Sequence, residues 1–194
     1  MPMNVRARLA AAALSAAALG ACADQTAPVA PVARPALGTA TASTSTTDVT
    51  TLLWTTPVTE SSTLSKVIGP KGGDFSVKTG LKLTVPPNAV SVPTVFTVTT
   101  LPGRIVAYDF GPHGVTFSVP LLIEQPTKGT NIFKVDDAKA VEGAYYPDPS
   151  SLDQSAGTAS VSEFRPTNVS TDKTMIRFNV SHFSGYLLST GRAQ

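Results

Sequence analysis

One cysteine and two histidines, Cys22, His113 and His182, decide most of the chemistry open to this 194-residue chain. A single thiol permits no disulfide within the chain and no cysteine-based zinc cluster. His113 sits in the turn Gly111-Pro112-His113-Gly114 with no second ligand type beside it, so no metal site is expected there. A serine-hydrolase triad would join His113 or His182 to a Gly-x-Ser-x-Gly elbow, and the sequence has no such elbow. Asp136-Asp137 and the stretch from Asp148 to Asp153 bring carboxylates together without the spacing of a calcium loop, which reads as solvated turns. No Gly-rich phosphate loop leads from a strand into a helix, so neither a nucleotide nor another cofactor is expected.

Cys22 directly follows Leu19-Gly20-Ala21 at the end of a short apolar run from Leu9 to Leu19. Arg6 and Arg8 precede that run and small residues close it, the three parts of a secretory signal. The run falls far below the ~20 residues that span a bilayer as a helix. Leu-Gly-Ala-Cys resembles the lipobox of bacterial lipoproteins. The resemblance implies cleavage before Cys22, a diacylglyceryl group on its sulfur and further acylation, palmitate included, that holds the new N-terminus to a membrane. Ala23 rather than Asp follows the cysteine, which in that family favours the outer membrane over the inner.

Loss of residues 1–21 removes Arg6 and Arg8. Lys plus Arg then falls from 15 to 13 against an unchanged 13 Asp plus Glu, so the processed chain is neutral. With no basic cluster anywhere, nucleic acid is not an expected partner. The expected partners are the membrane, through the acyl chains, and a protein or cell-envelope polymer.

Residues 22–62 are dominated by Ala, Pro, Thr and Ser and read as a lipidated flexible tether with a reach of ~35 Å. Leu52-Leu53-Trp54 is its one apolar phrase, read as an extension of the first strand region, with docking on the domain or on a partner as the alternative. From residue 63 to 190 short β-branched and aromatic segments alternate with Gly, Pro, Asn and Asp. Strands are expected near 64–69, 74–78, 81–86, 94–101, 104–110, 115–124, 141–146, 159–164, 174–182 and 185–189. No long helical periodicity follows the leader. The expected fold is all-β, a two-sheet antiparallel sandwich, ending in a short tail at 191–194.

Three phrases narrow this further. They are Ile68-Gly69-Pro70-Lys71-Gly72-Gly73 with the following 81–89 segment, Phe110-Gly111-Pro112-His113-Gly114 running into Leu121-Leu122-Ile123, and His182-Phe183-Ser184-Gly185-Tyr186. Together they resemble the ZU5 domain of netrin receptors and ankyrins and its bacterial relatives. That resemblance implies a sandwich whose usual task is protein contact or scaffolding, not catalysis. In some ZU5-containing proteins His-Phe-Ser is a self-cleavage site. Carried over, His182 would accept the Ser184 proton, Ser184 Oγ would attack the Phe183 carbonyl, and water would hydrolyse the ester. Strict alternation from Ile176, Phe178 and Val180 would bury His182 and expose Phe183, so a bulge near 180–184, eased by Gly185, is expected to return Phe183 to the core.

The leading expectation is therefore an envelope-anchored, non-enzymatic ZU5-like binding or structural module. Self-processing between Phe183 and Ser184 is the alternative. A carbohydrate-binding module is a second alternative, with Tyr145-Tyr146 as the only obvious aromatic platform.

Overall fold

The computed structural model describes residues 45–137 and 140–193, all within the compact unit Ala42–Gln194. The leader, Cys22 and the N-terminal part of the expected tether lie outside the described residues. The remainder is an antiparallel β-sandwich. No helix among the described residues is long and apolar enough to cross a membrane.

The strands follow one another with short turns. In chain order they are β1 (Thr47–Thr51), β2 (Leu53–Val58), β3 (Ser62–Ile68), β4 (Gly73–Ser76), β5 (Lys82–Val85) and β6 (Thr94–Thr100). Then come β7 (Gly103–Ile105), β8 (Ala107–Gly111), β9 (Thr116–Pro126), β10 (Glu142–Tyr146) and β11 (Leu152–Asp153). The last five are β12 (Thr158–Val161), β13 (Glu163–Arg165), β14 (Thr167–Val169), β15 (Met175–His182) and β16 (Gly185–Arg192). The larger sheet runs β11-β12-β1-β16-β8-β6-β3, with β10 on the other flank of β16 and β13 beside β10. The smaller runs β14-β15-β9-β5-β4, and β2 pairs with β7 separately.

Period-two alternation explains the layering. Phe96 and Val98 of β6 and Phe110 of β8 face inward from the larger sheet, against Leu83, Leu121, Ile123 and Ile176 from the smaller. The alternate residues Ala107, Ala144, Tyr146 and Leu187 form a second cluster on the opposite face of the larger sheet, with Val49, Ile105 and Val161.

Several boundaries differ from the sequence reading. The tether assigned to residues 22–62 overlaps the fold, because β1, β2 and the first residue of β3 lie within it. Val49 and Leu52 are fully buried, Trp54 is nearly so, and Asn131 Oδ1 accepts the Leu53 N–H at 2.8 Å. Thr-rich segments disguise strands here, since Thr favours extended backbone yet supplies little hydropathy. The tail assigned to 191–194 also starts inside a strand, with Arg192 paired to Val49. The expected strands 104–110 and 159–164 each break in two, at Val106 and Ser162.

Candidate functional site

The segment His182-Phe183-Ser184-Gly185 carries the chain from one sheet to the other. β15 ends at His182 in the smaller sheet, and β16 starts at Gly185 in the larger. The expected irregularity is present. Val180 faces Leu121 but His182 faces Thr116, so the extra residues belong to β9, between Thr116 and Leu121. This shift returns Phe183 to the core, where its ring meets those of Phe117 at 4.8 Å and of Phe96 and Phe110 at 5.5 Å. The corner is fixed by backbone hydrogen bonds on both sides. Phe183 N–H donates to Val115 O at 3.1 Å, and Phe110 N–H donates to Ser184 O at 3.0 Å.

Gly185 serves the corner through space rather than through unusual dihedrals. A Cβ there would run into the Tyr146 ring, and Gly185 is absent from the positive-φ residues. Tyr146 in turn donates its hydroxyl to Tyr108 O at 3.0 Å, and burial holds its phenol above the ordinary range.

A polar cluster sits at the same corner. His182 Nε2 lies 2.8 Å from Glu163 Oε2, and Glu163 Oε1 accepts from Arg165 at 2.8 Å. Tyr186 Oη donates to His182 O at 3.0 Å and lies 3.3 Å from Nδ1. The Tyr145 ring stands edge-on to the imidazole at 5.2 Å. Burial pushes the Tyr186 phenol up to about 12, and the nearby Arg165 guanidinium works against that rise. The Arg165 Nε is buried without a hydrogen-bond partner. Gly114, Thr116, Tyr145, Ser162, Glu163 and His182 border a shallow surface groove of ≈ 580 Å³ here. Glu163, Arg165 and Tyr186 were missed as site residues in the sequence. The sequence carries no local signal for them, because the pairing of β13 with β10 is a non-local fact.

The self-cleavage geometry is not assembled. His182 hydrogen bonds to Glu163 and Tyr186, and none joins it to Ser184 Oγ. Neither Phe183 nor Ser184 has positive φ or a cis peptide.

The other candidates resolve individually. His113 Nε2 pairs with the Asp109 carboxylate at 3.0 Å on an exposed turn. Asp148 accepts from Ser150 N–H at 2.8 Å, and Asp153 accepts from Ser155 N–H and Ala156 N–H at 2.9 Å each. Hydrogen bonding from the side chains of Ser150 and Ser155, with these backbone donors, holds both carboxyls below the usual carboxylate range. Asp136 and Asp137 lie in an irregular segment after a short 3₁₀ turn. No group of three metal-ligating side chains converges among the described residues. The aromatic platform suggested by Tyr145-Tyr146 does not form. As strand neighbours they point to opposite faces, and Tyr146 is buried.

No protein-family model matches the chain, and no curated protein matches it.

Proposed function

We propose that this chain is a lipid-anchored protein of the cell envelope whose ZU5-like sandwich acts as a non-enzymatic binding or structural module. The observation that carries the reading is the position of the single thiol. Cys22 closes a lipobox-like phrase after an apolar leader, and the first strand among the described residues begins downstream at Thr47. Acyl chains on Cys22 would leave the sandwich facing the periplasm or the cell exterior, with the outer membrane favoured. One chain binds a membrane marginally at ~0.8 kcal/mol per buried CH₂, so stable anchoring calls for the two or more that such processing supplies.

The non-enzymatic part is supported by where the reactive side chains are spent. His182 is held by Glu163 and Tyr186, and His113 by Asp109. Asp148 and Asp153 close their own turns. The corner cluster ties the two sheets together, as a rigid scaffold needs. Its partner would be a protein or an envelope polymer.

Labelling cells with a radioactive fatty acid tests the anchor. The wild-type chain takes up label and sediments with membranes, while Cys22→Ser takes up none and is released. An unlabelled wild-type chain, or a Cys22→Ser chain equally membrane-bound, overturns the proposal. Capture from envelope extracts tests the module: hydrolase activity in the pure protein with no partner retained counts against it.

A further inference from the structure

Sheet edges offer unpaired N–H and C=O groups to any passing strand, and folded proteins blunt them with short strands, proline or charge. This sandwich follows that rule at most of its edges. β11 has two residues, β13 and β14 three each, and β4 four, while β2 carries Pro57. β3 is the exception. It has seven residues, pairs only with β6, and keeps an unbroken register from Ser62↔Thr100 to Ile68↔Thr94. Six of its seven residues are exposed, and it contains neither proline nor glycine.

The surface around β3 is apolar as well as open. Of the five exposed large hydrophobics among the described residues, Leu64 and Val67 lie on β3, Val95 on β6 and Val92 just before it. Val67 and Val95 are direct cross-strand partners, 63% and 54% exposed. The fifth, Phe133, lies elsewhere. Lys66 is the only charge in the strand, and its Nζ is turned aside to Asp74 O on β4 at 2.6 Å. Neither the length of β3 nor its charge guards this edge.

We infer that β3 is a self-association edge, pairing antiparallel with β3 of a second copy so that Ser65 faces Ser65 across a two-fold axis. Three features favour a second copy as the occupant. This register overlaps all seven residues of both strands, placing Val67 opposite Thr63 and Leu64 opposite the aliphatic stem of Lys66. It also brings complementary charge to both ends. Glu60, five residues before the axis, falls beside Pro70 and Lys71, five and six residues after it, on the other copy. Glu60 and Lys71 have no ion-pair partner among the described residues, and the symmetry would supply one twice. Finally, the pairing would merge two large sheets and extend the Val67–Val95 patch against the partner's Thr63–Thr99 row, whose hydroxyls already bond at 2.8 Å.

The test uses the full chain in a Cys22→Ser background, so that an introduced cysteine is the only thiol. With Ser65→Cys, the two facing Cβ atoms would lie about 4.5–5.5 Å apart, within reach of a disulfide after small adjustment. Mild oxidation is then expected to give a covalent dimer. Thr97→Cys, one strand further in on each copy, places its thiols ~14 Å apart and stays uncrosslinked. Val67→Lys is expected to weaken self-association in sedimentation equilibrium about tenfold or more, with Tm within ~2 °C of the parent. Three outcomes overturn the inference: a parent chain that stays monomeric at all accessible concentrations, a Ser65→Cys chain that does not crosslink, or equal crosslinking of both cysteines. Crosslinking of Ser65→Cys only to a different envelope protein overturns the second copy as occupant.

Discussion

Glu163 joins two side chains at one corner: its Oε2 meets His182 Nε2 at 2.8 Å, and its Oε1 meets the Arg165 guanidinium at 2.8 Å. Arg165 is largely buried and sits on the same strand, whereas His182 comes from the opposite sheet. The carboxylate therefore compensates a buried charge and staples the two layers together. Glu163→Gln keeps the shape and removes the charge. The expected loss is about 2 kcal/mol, between the ~1 of an exposed pair and the ~3–5 of a fully buried one. Urea denaturation of wild type and variant measures it. A loss below ~0.5 kcal/mol would show that Arg165 is adequately solvated without its partner.

Phe183 is the hub of four aromatic rings that bridge the sheets. Truncating it removes contacts with Phe96, Phe110 and Phe117 together, in a place where backbone hydrogen bonds prevent the corner from collapsing inward. Phe183→Ala is expected to cost about 3–5 kcal/mol, and Phe183→Leu clearly less. Thermal unfolding of the pair separates lost volume from lost ring geometry.

The alternation of Ile176, Phe178 and Val180 was legible in the sequence because β15 is one long strand with one buried face. The shift that reburies Phe183 was legible too, since Phe183 could not remain outside. That the extra residues lie in β9 was not, because a register is a property of two strands. β1 and β2 were hidden by threonine and proline, whose hydropathy resembles that of the preceding tether. The Glu163–His182–Tyr186 cluster was invisible for the same reason as the register: 19 residues separate Glu163 from His182, and only the sheet packing closes that gap. Conversely, the carboxylates of Asp148 and Asp153 were correctly read as turns, because Asp followed closely by Ser invites local N–H capture.

Tyr186 gives the fold an alkaline limit. Burial raises its phenol from 10.0 to about 12, and burial raises Tyr108 and Tyr146 further still. Between these values the unfolded chain loses the proton and the folded chain keeps it, so the folded state binds more protons and stability falls as pH rises. The contribution is fully present below pH ~10 and is lost progressively toward 12. Unfolding followed by circular dichroism is expected to steepen above pH ~10, together with a rise in tyrosinate absorbance. Tyr186→Phe should flatten the part of that slope between 10 and 12. An unchanged slope would place the alkaline sensitivity in Tyr108 and Tyr146 alone.

Gln154 pins the smallest strand pair to the sandwich. Its Oε1 accepts both the Arg104 N–H at 2.8 Å and the Ile105 N–H at 3.0 Å, and Asp153 shapes the turn that presents it. Gln154→Ala leaves two β7 donors unpaired, Ile105 being fully buried. The expected cost is about 1–3 kcal/mol. Hydrogen exchange is the sharper readout: protection should fall first at Arg104 and Ile105, while β15 and β9 hold theirs. Uniform loss across both sheets would mean that β7 does not open separately.

Self-cleavage between Phe183 and Ser184 makes the most exposed prediction of all. The reaction needs His182 to take the Ser184 proton and needs a distorted peptide, and here the imidazole is held by Glu163 and Tyr186 while neither Phe183 nor Ser184 has a cis bond or positive φ. The purified chain is therefore expected to keep one intact mass under denaturing conditions after prolonged incubation. Freeing the imidazole sharpens the test. In Glu163→Ala with Tyr186→Phe, His182 loses both side-chain partners, yet hydrogen bonds still flank the Phe183–Ser184 peptide, from Phe183 N–H to Val115 O and from Phe110 N–H to Ser184 O, so the chain should still remain whole. Cleavage in that variant, abolished by Ser184→Ala, would show that the corner cluster restrains a latent nucleophile. Cleavage in the wild type, abolished in the same way, would overturn the scaffold reading of the corner.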